Sequence, residues 1–226
     1  MNYCLSALGS MGARLLSNPL GRALMGAIAL LLLLPLPSLA HHPLGGTLPA
    51  SAFEGFLSGL GHPVIGLDHL AFVVAIGLLA AVSKRGIVIP VAFVLAAMVG
   101  TGLHLAEIML PAAEWVISAS VLGAGLLLAR PNRPQSAVLA GLAALAGLFH
   151  GFAYGEAIFG AEAMPLGAYL TGFTVVQMGI AIAAYTIGRQ LTQRSPGFTM
   201  NGAGLVICGI GAAFLATTLL SILLPA

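Results

Sequence analysis

The sequence predicts an all-α polytopic membrane protein, with six transmembrane helices behind a cleavable signal peptide, and three observations carry that prediction. Of its 226 residues 59% are hydrophobic and 6% charged, against about 25% charged in an ordinary soluble domain. Six apolar runs, at 63–82, 86–110, 113–129, 136–153, 166–188 and 202–224, each approach the ~20 residues that a ~30 Å hydrocarbon core demands. The charged residues between those runs sort by sign onto alternate connections.

Taken in order, residues 1–40 read as a secretory signal. Arg14 and Arg22 precede an apolar core at 23–34, and Ser38 and Ala40 supply the small residues required for cleavage. The segment 41–62 is polar to mixed, interrupted by Gly45, Gly46, Pro49 and Glu54, and is expected to lie on the outer face. Residues 63–226 then form the six-helix domain. Pro63 is expected at the first position of the first span, where its missing N–H costs nothing. The run 113–129 is short, and Gly151 and Gly155, four apart, suit close helix contact.

A chain beginning outside would turn three connections to the cytoplasm, at 83–86, 130–135 and 189–200. These hold Lys84, Arg85, Arg130, Arg133, Arg189 and Arg194, every Lys and Arg after the leader. The positive-inside rule is obeyed without exception, which places both mature termini outside a bacterial-type inner membrane. The few basic residues form no stripe, so nucleic acid is excluded as a partner. Cys4 and Cys208 are too few and too far apart for a disulfide framework or a thiolate site.

The ionisable residues cluster in depth. Asp68 and His69 fall one to two turns inside the outer end of the first span, with His62 at its start; His104 and Glu107 lie near the outer end of the second span. His150 lies near that of the fourth, with Glu156 just beyond. His104 and Glu107, three apart, would share a helix face. A carboxylate costs roughly 2.5–3.5 kcal/mol at the centre of a membrane helix, so Asp68 beside His69 calls for pairing or a bound cation. Imidazole and carboxylate without thiolate suit a divalent first-row metal. His41 and His42 would, after cleavage at Ala40, add a terminal amine and imidazole chelator. Gln177, Thr101, Thr171 and Thr174 are uncharged groups that would either line a path inward or bond helix to helix.

Two stretches carry a family resemblance: His62-x5-Asp68-His69, and Phe149-His150-Gly151-Phe152-Ala153-Tyr154-Gly155-Glu156. They resemble the signatures of the HupE/UreJ proteins, membrane proteins associated with nickel or cobalt uptake for hydrogenase and urease. The resemblance implies functional roles for His62, Asp68, His69, His150 and Glu156, whereas His104 and Glu107 rest on depth and spacing. It also implies an indirect link to nickel-enzyme maturation.

The expected function is therefore uptake of nickel, or cobalt, through a His/Asp/Glu metal-capture site on the extracytoplasmic side. The partners are the divalent ion and the lipid bilayer, with a homo-oligomer also compatible. No catalytic residues and no tightly bound cofactor are expected, only the transported Ni2+ or Co2+. Two alternatives stay open: an intramembrane metal-dependent hydrolase, in which histidines around zinc activate water, and a metal-binding accessory protein that moves nothing.

Overall fold

The computed structural model describes residues 47–194 and 198–223. The expected signal peptide at 1–40, and His41 and His42 with it, lie outside the described residues. The described helices are α1 (Ala52–Ile65), α2 (Leu67–Ala81), α3 (Val88–Leu105), α4 (Ala113–Ala129), α5 (Ser136–Glu156), α6 (Ala163–Arg194) and α7 (Phe198–Leu223). Four of them, α3, α5, α6 and α7, are long and apolar enough to cross a bilayer, and α1 with α2 makes a fifth when the bent pair counts as one span. Helix α4, apolar but only 17 residues long, reaches about 26 Å, just short of the ~30 Å core.

The first apolar run departs from a single helix starting at Pro63. Helix α1 begins eleven residues earlier, at Ala52, because Ser51 and Glu54 cap it. The Ser51 hydroxyl accepts from Glu54 N–H at 3.2 Å, and the Glu54 carboxylate accepts from Ala50 N–H at 2.7 Å. This is a close variant of the capping box. Pro63 sits inside α1 rather than at a helix start, where it offers no N–H to the carbonyl of Gly59. The helix stops at Gly66, whose N–H returns to His62 O at 3.1 Å. Helix α2 then leaves at 79° to α1.

Close glycine contacts fix how the helices pair. Helices α1 and α2 follow one another along α6: a Cβ on Gly59 would strike Tyr169 O, and one on Gly77 would lie 2.5 Å from Ala181 O. Helices α3 and α5 run parallel, with Gly151 against Ala97 O and Gly155 against His104, and Thr101 Oγ1 donates to Gly151 O at 2.8 Å across the seam. Helices α4 and α7 run antiparallel, Gly204 meeting Ala129 and Gly211 meeting Leu122. Small residues let backbones approach in lipid, where dispersion rather than water exclusion holds helices together. Between the pairs lies a core of Phe72, Ile76, Ile89, Phe93, Leu128 and Leu139.

Polarity separates along this frame. Lys84, Arg133 and Arg189 line one hollow of about 580 Å³ with Ser83, Thr192 and Asn201. At that basic end Arg133 donates to Leu128 O at 2.6 Å, and partial burial lowers its pKa from the usual guanidinium value. The buried histidines lie elsewhere, around the break at Gly66.

Candidate metal centre

His62 belongs to the last turn of α1, Asp68 and His69 to the first turn of α2, and His150 to α5. All four are buried, His62 and His69 at 2% exposure, Asp68 at 6% and His150 at 0%. The break brings them together. The C-terminal carbonyls of α1 carry the negative end of its dipole toward this point, an arrangement that favours a cation. Asp68 sits in the first turn of α2, where its carboxylate Oδ1 accepts from His69 N–H at 2.8 Å. Gly66 makes room: a Cβ there would lie 2.7 Å from His69 Cδ2 and 3.3 Å from Asp68 Oδ1. Its φ of −73° and ψ of 99° are open to any residue, so the demand for glycine is steric.

Hydrogen bonds then assign the ring protons. The Ser120 hydroxyl donates to Ile117 O at 2.7 Å, so its oxygen accepts from His150 Nε2 at 2.9 Å. In a neutral His150 the other nitrogen, Nδ1, is an acceptor, and it receives the proton of His69 Nδ1 at 2.7 Å. A parallel chain holds His62: the Tyr169 hydroxyl donates to Tyr154 O at 3.0 Å and accepts from His62 Nδ1 at 3.0 Å. Both His62 and His69 in their neutral forms therefore carry the ring proton on Nδ1. His150, engaged at both nitrogens, orients His69. The Tyr154 ring stands 5.0 Å from His62 and 4.6 Å from His69, and the two imidazoles are 5.9 Å apart, centroid to centroid. Phe72 and Phe93 wall His150 at 4.6 and 5.7 Å. Behind Ser120 an apolar cavity of about 520 Å³ opens between α4 and α5.

His104, Glu107 and Glu156 stand differently. Half-buried His104 packs on Phe152 at 4.5 Å and Phe159 at 5.8 Å, and its Nδ1 has no hydrogen-bond partner. Glu107 is exposed and lies past the end of α3. Ile108 N–H bonds Leu103 O and Glu107 N–H bonds His104 O, with Glu107 at φ 58°, a Schellman stop whose left-handed position a glutamate occupies. The three-residue spacing from His104 therefore puts no shared helix face behind the pair. Glu156, the last residue of α5, is exposed. Among the described residues no three of His, Cys, Asp and Glu stand close enough to share one ion in this arrangement.

Four participants had no place among the sequence candidates: Gly66, Ser120, Tyr154 and Tyr169. Tyr154 lies inside the Phe149–Glu156 stretch, and Gly66 between His62 and Asp68, so their signal was positional. Ser120 and Tyr169 lie in helices with no other ionisable group near the histidines and carry none.

The comparisons agree with the two signature stretches. Residues 28–214 match the family described as HupE / UreJ protein. The chain is 34% identical over 185 residues to Protein HupE of Rhizobium leguminosarum bv. viciae, an alignment covering 77% of this chain and 93% of that relative. No solved structure matches. A family match running from ahead of α1 into α7, and a relative covered almost end to end, lead to one conclusion: the chain belongs to the HupE/UreJ family.

Proposed function

We propose that this protein takes up a transition-metal ion, nickel or cobalt, across the bacterial cytoplasmic membrane, and that the ion is its cargo rather than a resident cofactor. Membership of the HupE/UreJ family points to metal uptake by a transport protein rather than to an enzyme. The observation that carries the reading is the buried group of His62, Asp68, His69 and His150 at a broken helix, with His69 bonded to His150, His150 to Ser120 and His62 to Tyr169. Broken membrane helices whose ends meet at a polar cluster are a recurrent way to hold an ion in transit.

In this reading the ion arrives from outside, where Glu156, Glu107 and the start of the mature chain with His41 and His42 collect it. His62, His69 and Asp68 strip part of its water. The outer segment 41–62 and the six-span domain 63–226 then meet inside α1, so the capture site straddles their boundary. Short α4 is the sixth span, residues 1–40 are the removed leader, and both mature termini face outward. A +2 ion moving to a negative interior gains about 4.6 kcal/mol per 100 mV, enough to draw it in without nucleotide hydrolysis. Since no three of these side chains reach one ion in this arrangement, the ion would be held loosely enough to be released.

The test is initial uptake of labelled nickel and cobalt by proteoliposomes. Intact protein is compared with Asp68→Asn and His150→Ala at matched abundance. Loss of uptake in both variants is expected. Binding without transport by the intact protein would replace this reading with that of an accessory metal binder.

A further inference from the structure

Helix α6 carries a buried ridge at Tyr169, Phe173, Gln177 and Ala181, each at 0% exposure. The four-residue spacing keeps these side chains on one face. The outer member, Tyr169, holds His62. The inner member, Ala181, presents its carbonyl to Gly77 of α2. Gln177 lies between them, eight residues and about 12 Å inward of Tyr169 along the helix. Four residues before Gly77, the matching level on parallel α2 is about Val73, one turn inward of His69.

Neither Nε2 nor Oε1 of Gln177 has a hydrogen-bond partner, although both atoms are buried. An amide in that position carries its full desolvation cost with nothing returned, and Leu or Met would fill the same space without it. Helix-to-helix bonding, the ordinary use of glutamine in a membrane, is not made here. Nor is Gln177 an outlying member of the histidine cluster. Phe173, 5.5 Å from the Tyr154 ring and 5.9 Å from Tyr169, stands between them on the ridge. A buried polar group left unpaired in the protein calls for a partner that comes from outside it.

We infer that Gln177 is a second, inner cation station, its amide oxygen receiving a partly hydrated divalent metal ion that has passed the histidine cluster. The inference rests on the uptake reading above. An amide oxygen is a neutral, hard ligand that can take the ion directly or accept a hydrogen bond from its bound water. Neutrality makes the hold weak, which suits a station the ion must leave. Phe173 is then the apolar partition between two polar stations.

The experiment uses the full chain in proteoliposomes, with labelled nickel or cobalt, whichever the unaltered protein carries more rapidly. Gln177→Leu, Gln177→Met and Gln177→Glu are compared at matched reconstituted amounts. Initial uptake, equilibrium binding of the same ion to solubilised protein, and thermal stability are read together. For Gln177→Leu and Gln177→Met the expected result is at least about a tenfold fall in uptake, with binding within about twofold of normal and an unchanged or higher Tm. Gln177→Glu is expected to retain more ion at equilibrium while passing it more slowly. Uptake at the normal rate by Gln177→Leu overturns the station alone. Loss of binding and of the thermal transition in both apolar variants assigns Gln177 a structural role and also overturns it. No uptake by the unaltered protein overturns the uptake reading and the station with it.

Discussion

At Gly66 and at Glu107 the backbone leaves a helix within a few residues of a histidine and a carboxylate, and the two places treat those side chains oppositely. At Gly66 the chain stays at negative φ and re-enters a helix after one residue. The side chains on either side of the break, His62, Asp68 and His69, end up buried around it. At Glu107 the chain flips to φ 58° and closes its last turn on itself, which leaves the carboxylate exposed and His104 among phenylalanines. A break that continues inward concentrates polar groups, whereas a stop that closes its own carbonyls disperses them.

Substitutions can break this contrast or sharpen it. The largest effect is expected of His69→Ala, which removes a proposed nitrogen ligand and the donor to His150. Nickel uptake by proteoliposomes should fall by more than the roughly 10–100-fold typical of losing an outer partner, and near-normal uptake would dissolve the site. Gly66→Ala comes next, since its methyl group would meet the His69 ring at 2.7 Å. A few-tenfold loss of equilibrium nickel binding, at normal membrane abundance, would show that the break exists to seat that ring.

Ser120→Ala removes the acceptor that fixes the His150 proton. Roughly tenfold weaker metal binding is expected by calorimetry, with Ser120→Thr, which keeps the hydroxyl, close to the original. The smallest effect belongs to the other end. Glu107→Gly relieves a left-handed glutamate and should raise thermal stability by about 1 kcal/mol. Uptake should fall only slightly, the share of one outer collecting carboxylate; a large loss would move Glu107 from the outer surface into the buried site and erase the difference between the two helix ends.

Much of this was legible before any coordinates. Asp68 beside His69 in hydrocarbon marks a costly group, and the two signature stretches lead to His62, Asp68, His69 and His150, which the structure gathers. What escaped has physical reasons. Periodicity alone cannot distinguish a glycine that packs from one that breaks, so Gly66 vanished into an apolar run. Ser51-x-x-Glu54 is a helix-start signature, but Gly and Pro around it made the segment read as an interrupted outer stretch. The argument from His104 to Glu107 assumed two more residues of helix than the Schellman closure permits. Gln177 was visible as a polar residue in a span, yet only burial distinguishes an unpaired amide from one that joins two helices.

The break also divides the proposed ligands between two helices. His62 rides on α1, while Asp68 and His69 ride on α2, and the unbroken α6, 32 residues and about 48 Å long, runs beside both like a rail. The separation of the two imidazoles is then governed by a single angle at Gly66. Were an ion held there, choosing among radii would become a matter of how far one joint opens, and stiffening that joint would tune the choice without touching a side chain that binds.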